Sequence, residues 1–457
     1  MKTRSSFVCQ QCGYDTPQWY GKCPECGSWN SLVETVKETT GIKNSELGIK
    51  NGREITPQKL SEVKHIEKNR LKSGFTEFDR VVGGGIVPGS VTLLAGDPGI
   101  GKSTLLLHVL AKIGGLYISG EESAEQIKLR AKRLGIDGGN IIVLPETNAE
   151  AIAGAISASV IPASEPETIG KEHGSRVKPG MTISLVIVDS IQTLTSGDLD
   201  GMAGSVGQIR HCAEVLVAAA KSTGVPVVII GHVTKEGTIA GPKILEHMVD
   251  TVLYVEGERF ANARILRTLK NRFGAIEEVG IFEMGDSGLK EIDNPSELFL
   301  QDRVKNVPGS VVTVIMEGTR PMLVEIQGLT VSSQLAMPRR VGNGVNYNRL
   351  QLLIAIIQKR LNIPLGSFDV FVNVSGGIKI EEPAADLAIV AAILSSFKNK
   401  AVDPKTAIFG EVGLLGEIRT TSAAERRAKE AKRLGFTTVI APLTVKSLTQ
   451  VSTICFS

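Results

Sequence analysis

The sequence predicts an α/β protein whose main domain is a parallel sheet covered by helices on both faces. Two patterns point to it. From Leu71 onward, short apolar runs alternate with amphipathic stretches, as strand and helix do in turn. One of those runs, Val91 to Ala95, opens directly into a glycine-rich segment that ends in Gly-Lys-Ser. The length supports a multidomain reading, since 457 residues at roughly 150 per domain give about three domains.

The elements follow in order. Residues 1–35 hold four closely spaced cysteines and form a metal-held module. Residues 36–68 are polar, mixed in charge and interrupted by Gly41, Gly48, Gly52 and Pro57, so they read as a linker. The main domain spans 69–292. Its strands are Val91 to Ala95, Gly115 to Ser119, Leu185 to Asp189 and Val225 to Gly231. Its helices are Lys102 to Lys112, Ala124 to Leu134, Ala149 to Val160 and Gly207 to Lys221. Three hairpin-type strands close it, at Val252 to Glu256, Ala263 to Leu269 and Glu278 to Met284. A second α/β domain, 295–457, carries helices at Tyr347 to Leu361, Pro383 to Lys398 and Ala423 to Leu434. Residues 161–182, rich in Pro and Gly, are too long for an ordinary helix-to-strand connection and read as an inserted surface loop. The loop enters a strand at its amino edge, so it is expected to lie far from a ligand at the carboxyl edge.

Composition excludes several classes. The net charge is +3, so no overall basic field draws the chain to nucleic acid, and such contact has to come from local patches. Aromatics make up 4%, too few for an open base-stacking platform as the main device. Six cysteines cannot staple a chain of this size, no signal-peptide core follows Met1, and no apolar run reaches about 18 residues. The expectation is a cytoplasmic, thiol-reduced protein without a membrane span.

Gly96-Asp97-Pro98-Gly99-Ile100-Gly101-Lys102-Ser103 matches the phosphate-binding pattern G-x-x-x-x-G-K-[ST], with Thr104 following. Its amides face phosphate oxygens, Lys102 adds a point charge, and the Ser103 hydroxyl can ligate Mg²⁺. ATP and Mg²⁺ are the expected ligands. Asp189 ends an apolar strand at the carboxyl edge, where a carboxylate reaches that Mg²⁺. Glu121 or Glu122, after the strand to Ser119, can polarise the attacking water, and the sequence leaves that choice open.

Cys9-x₂-Cys12 and Cys23-x₂-Cys26, each pair followed by Gly, suit tetrahedral Zn²⁺, with iron of similar geometry as the alternative. Four thiolates leave no open position, so the metal is structural. Phe7, Tyr14, Trp19, Tyr20 and Trp29 read first as the core of this tiny module and second as a nucleic-acid surface. Lys270 and Arg272, in Lys-Asn-Arg-Phe-Gly274, point the same way on an extended segment. By spacing alone they are either a solvated strand end or a cationic finger for a neighbour's γ-phosphate.

Together these motifs resemble the bacterial RadA (Sms) family of DNA repair proteins over almost the whole chain. The resemblance implies a RecA-like ATPase core closest to DnaB-type helicases, a zinc module, and a C-terminal domain similar to that of Lon protease. It implies that Lys270 and Arg272 act across a subunit boundary in a ring, expected to be hexameric. It implies DNA-facing loops at Ser196 to Val206 and Lys235 to Lys243, and raises His232 as a γ-phosphate sensor. Lon-type proteases use a Ser–Lys dyad. Here Ala384 and Glu425 stand at those positions, so peptide hydrolysis by that dyad is not expected. Arg339, Arg340, Arg349, Lys359 and Arg360 read either as a DNA-binding surface or as a solvated charged face. The expected activity is an ATP-driven helicase or branch-migration motor on single-stranded and branched DNA, working with the RecA recombinase. A nucleotide-switched DNA-binding module that does not translocate is the alternative. An ATP-dependent protease and a strand-exchange filament are more distant ones.

Overall fold

The computed structural model describes residues 4–9, 14–25, 27, 29, 31–37, 70–158, 183–232, 242–257 and 263–456. Cys12, Cys26, the inserted segment 161–182 and most of the expected linker and of the loop from Lys235 to Lys243 lie outside them. The chain divides into two compact units, 1–254 with 269–274, and 255–268 with 275–457.

The first unit opens with a small antiparallel sheet of β1 (Arg4–Cys9), β2 (Asp15–Thr16) and β3 (Leu32–Lys37), in the order β2–β1–β3. Cys9 pairs with Leu32 in this register. The short helix α1 (Thr76–Val81) then leads to β4 (Val91–Gly96), buried throughout, and α2 (Lys102–Ile113). There follow β5 (Gly115–Ser119), α3 (Ala124–Arg133), β6 (Ile141–Pro145), α4 (Ala149–Ala158) and β7 (Val186–Asp189). The run ends with α5 (Val206–Thr223), β8 (Val227–His232), α6 (Pro242–Glu246) and β9 (Thr251–Glu256).

Strands β4, β8, β7, β5 and β6 lie side by side in that order and are all parallel, with β9 beside β4. This is the covered parallel sheet that the alternation predicts. β6 was not foreseen, because its Ile141-Ile-Val-Leu144 run is only half-buried at the sheet edge. The core is aliphatic. Val91, Leu93, Leu116, Ile118, Val186, Val188 and Ile229 fill it from the strands, Ile152 and Leu216 from the helices. A Ser123 capping box starts α3, with Ser123 Oγ accepting from the Gln126 amide and the Gln126 side chain accepting from the Ser123 amide.

The second unit takes in most of β10 (Ala263–Asn271), antiparallel to β11 (Val279–Gly285), which pairs with β12 (Gly288–Glu291). After α7 (Pro295–Leu300) come β13 (Ser310–Glu317), β14 (Arg320–Ser332), β15 (Arg340–Asn343), α8 (Tyr347–Leu361) and β16 (Phe368–Val374). Then follow α9 (Asp386–Lys398), β17 (Thr406–Ile408), the short strands β18 (Glu411–Val412) and β19 (Ile418–Arg419), α10 (Ala424–Arg433), β20 (Thr438–Ile440) and α11 (Leu448–Phe456). Six strands form one mixed sheet, β15–β16–β14–β13–β17–β20. Helix α9, buried along almost its whole length, packs on it. At Gly328 of β14, a Cβ would lie 2.7 Å from the Ala392 carbonyl carbon, so only glycine permits that approach.

Candidate nucleotide site

The phosphate-binding loop leaves the carboxyl end of β4. Gly96, Gly99 and Gly101 have φ of 148°, 78° and 111°, which only glycine adopts readily, and Gly101 caps α2. Lys102 is buried and donates to the carbonyls of Gly96 at 2.9 Å and Asp97 at 3.0 Å. Burial lowers its pKa to about 8, against the upward pull of Asp189, Asp97 and Glu121. Asp97, Pro98 and Gly99 are exposed, Ile100 is buried, and Ser103 and Thr104 are half-buried at the start of α2. Helix-end amides, a buried ammonium and a hydroxyl beside it fit a nucleotide triphosphate with its Mg²⁺.

Neighbouring strands supply the carboxylates. Register sets Ser119 of β5 beside Asp189 of β7, and Gly96 of β4 beside His232 of β8. The Asp189 Oδ2 accepts a short hydrogen bond from the Tyr117 hydroxyl. Glu121 Oε1 accepts from Ser190 Oγ at 2.8 Å and lies 3.9 Å from His232 Nε2. Glu122 turns elsewhere and accepts from Arg130 at 3.0 Å. The His232 pKa is lowered by burial and by Lys102. Lys102, Asp189, Glu121 and His232 thus meet at one strand edge. The Tyr117 and Arg130 contacts were missed, because an apolar strand position and a helix face carry no local sign of them.

Lys270 and Arg272 are not in this group. Lys270 Nζ donates to the carbonyls of Glu246 at 2.6 Å and Val249 at 2.9 Å. The Arg272 guanidinium donates to Asp250 at 3.2 Å, and its amide to the Asp250 carbonyl. Asp250 in turn exchanges hydrogen bonds with both backbone groups of Val91, the first residue of β4. The phosphate loop begins at the other end of β4, about 16 Å away at a parallel-strand rise of about 3.3 Å per residue. The two cations therefore stand at the edge of the sheet opposite their own phosphate loop.

The loop after Asp189 is anchored at its root. The Gln208 side chain accepts from the Ser196 amide and donates to the carbonyls of Ser196 and Leu199. Thr195 exchanges backbone hydrogen bonds with Thr147 and Ala149. Of the other expected DNA-facing loop, only Pro242 and Lys243 are described, at the start of α6.

Known proteins place these features in a family. The model described as KaiC ATPase matches residues 71–294, that of a rubredoxin metal-binding domain 7–34, and that of the ChlI subunit of Mg-chelatase 340–444. DNA repair protein RadA of Bacillus subtilis is 48% identical over 96% of this chain and 93% of its own length. The RadA of Halalkalibacterium halodurans is 47% identical over the same shares. That of Synechocystis is 45% identical over 96% of this chain and 89% of its own length. The chain belongs to the RadA family. It has a RecA-like ATPase core, an N-terminal zinc ribbon and a C-terminal ChlI- or Lon-like domain, as the motifs predicted.

In the ribbon of this RadA-family chain, Cys9 and Cys23 are buried beside Leu32, Phe7 and Tyr14. The Cys9 amide donates to the Tyr14 carbonyl at 2.9 Å. The Gly27 amide, with φ 73°, donates to the Cys23 carbonyl at 2.9 Å. Two buried thiols on two closed turns fit half of a four-thiolate metal cage. The expected aromatic core needs correction. Only Phe7 and Tyr14 pack inside, while Trp19, Tyr20 and Trp29 are 55%, 43% and 74% exposed. A three-stranded module this small has room around its thiols for no more.

In the Lon-like domain Ala384 is buried, and its carbonyl accepts from the Gly410 amide at 2.7 Å. Glu425 opens α10. Nearby, Arg427 is fully buried and pairs with Glu382, while also donating to the carbonyls of Val314 and Ser422. Of the five basic residues, Arg339, Lys359 and Arg360 are exposed. Arg349 pairs with Asp386, Arg339 with Asp369, and Arg340 and Arg360 donate to backbone carbonyls.

Proposed function

We propose that the chain is an ATP-driven motor on DNA that processes branched intermediates in recombination and repair. One observation supports this reading: the two groups of motif residues stand at opposite edges of a single sheet. Lys102, Asp189, Glu121 and His232 meet at one edge, and Lys270 and Arg272 stand at the other. A second copy completes the site by bringing its own cationic pair, as in a ring of DnaB type. The reading assigns residues 1–35 to the zinc module, 36–68 to a linker, 69–292 to the ATPase and 295–457 to a Lon-like domain without its dyad. Its partners are single-stranded and branched DNA, the RecA recombinase and further copies of the chain, six in a ring.

In this mechanism the amides of Gly96 to Thr104 and the Lys102 ammonium hold the ATP phosphates. Ser103 and Asp189 would hold Mg²⁺, which would supply positive charge to the phosphates. Glu121 orients a water and takes its proton as the oxygen attacks the γ-phosphorus. The bond to the β–γ bridging oxygen breaks, leaving ADP and phosphate. A neutral His232 beside Glu121 registers the loss of the γ-phosphate. The partner copy's cationic pair stabilises the charge that develops on the transferred group. Hydrolysis then shifts the loop from Ser196 to Val206 and the DNA with it.

The deciding experiment is the steady-state ATPase rate with and without single-stranded DNA, with Lys102→Ala as control, followed by unwinding of forked DNA. Stimulation by DNA together with unwinding supports the motor. A slow rate indifferent to DNA favours the nucleotide-switched module, a reading to which the KaiC likeness and the paired Glu121 and Glu122 lend weight. Normal hydrolysis by Lys102→Ala would sink both.

A further inference from the structure

We infer that Tyr117 and Arg130 are positioning residues that fix the metal-facing carboxylate Asp189, and that Glu122 anchors them. This rests on the proposed role of Asp189. Four side chains from two strands, a turn and a helix form one hydrogen-bonded line. Glu122 Oε1 accepts from Arg130 Nη1 at 3.0 Å, Arg130 Nη2 donates to the Tyr117 hydroxyl at 2.8 Å, and that hydroxyl donates to Asp189 Oδ2.

The direction of the line follows from donor counting. A guanidinium has donors only, so the Tyr117 oxygen has to accept from Arg130. The hydroxyl has a single proton, and with Arg130 on its acceptor side that proton goes to Asp189. Arg130 thereby orients the phenol, and the phenol pins one oxygen of Asp189. The other oxygen, Oδ1, has no hydrogen bond from the described residues and keeps its lone pairs for a metal or its water. Tyr117 is fully buried in β5, so its ring has no freedom to drift. Arg130 is held from the far end by Glu122, whose own amide donates to Ser119 Oγ at 2.9 Å.

The same line divides the labour of the two adjacent glutamates. Glu122 is committed to Arg130. Glu121, bonded to Ser190 beside Asp189, is left to face the reacting water.

The test uses the full-length chain and reads metal binding apart from turnover. Mn²⁺ is titrated by electron paramagnetic resonance in the presence of ADP, and binding of a fluorescent ADP analogue is measured in EDTA. Tyr117→Phe keeps the ring and deletes only the hydroxyl. It is expected to weaken Mn²⁺ binding about tenfold, the scale of one hydrogen bond to a charged group. Metal-free nucleotide affinity should stay unchanged, a split that a merely structural lesion does not give. Arg130→Met should act in the same direction, and Arg130→Lys should recover part of the loss. Asp189→Asn is the control. If Asp189→Asn loses Mn²⁺ while Tyr117→Phe and Arg130→Met bind it normally, the positioning role is wrong and the site stands. If Asp189→Asn itself binds Mn²⁺ normally, the role of Asp189 fails and takes this inference with it.

Discussion

At the scale of single residues, the two glutamates after β5 separate cleanly. Glu121→Gln should lower kcat about a hundredfold or more, the usual cost of removing a general base, while Glu122→Gln should leave it within a few-fold. Single-turnover hydrolysis checks both. The sequence could not make this choice, because neighbours in a turn differ only in which way the backbone aims them. Lys102, Ser103 and Asp189 were legible, since their local spacing fixes where they stand. The cysteines allow a pH test. Burial pushes the Cys212 thiol up to about 12 and that of Cys455 to about 11. Both stay protonated at pH 8, so iodoacetamide should label neither quickly, and labelling of Cys455 should begin only as pH nears 11. Stripping the ribbon metal with a chelator should expose Cys9, Cys12, Cys23 and Cys26 to the same reagent at pH 8, counted by intact mass.

At the scale of elements, the zinc ribbon and α10 offer separate tests. The chain's two tryptophans both lie in the ribbon and both are exposed, so intrinsic tryptophan fluorescence reports that module alone. If the ribbon touches DNA, oligo(dT) should quench it, and Trp29→Ala should weaken binding while leaving the DNA-free ATPase rate intact. Binding without quenching would place the contact elsewhere. In α10, Arg427→Ala removes a buried cation and strands Glu382, which should cost on the order of 3 kcal/mol and bring an earlier urea transition. Replacing Glu382 and Arg427 together by leucine should cost less than the two single changes added. Periodicity made most strands and helices of the first unit legible, β6 excepted, and three helices of the second. Nothing local in the charged helix α10 marks Arg427, because its burial is decided by β13 and Glu382, far away in sequence.

At the scale of the whole molecule, the proposed division of the site between copies has a direct test. Lys270→Ala and Glu121→Gln should each be nearly inactive alone. Mixed, they should regain part of the ATPase rate, because some interfaces then pair an intact phosphate edge with an intact cationic edge. No recovery on mixing would show that each copy works alone. The proposed ring rests on the Lys-Asn-Arg-Phe-Gly motif and its family likeness. Nothing in the spacing of Lys270 and Arg272 says that Glu246, Val249 and Asp250 hold them a full strand length from Lys102.

The hold of Gln208 on Ser196 and Leu199 has a mechanical meaning. A slack loop would absorb a small shift at the end of β7 within its own soft torsions. Riveted to α5 at its root and stitched to Thr147 and Ala149, this one would act as a crank in the proposed motor. Its tip, around Asp200 to Gly204, would then sweep through an arc set by the helix to which the root is fixed. Gln208→Ala would turn the crank into a tether, leaving hydrolysis running while the stroke it drives goes slack.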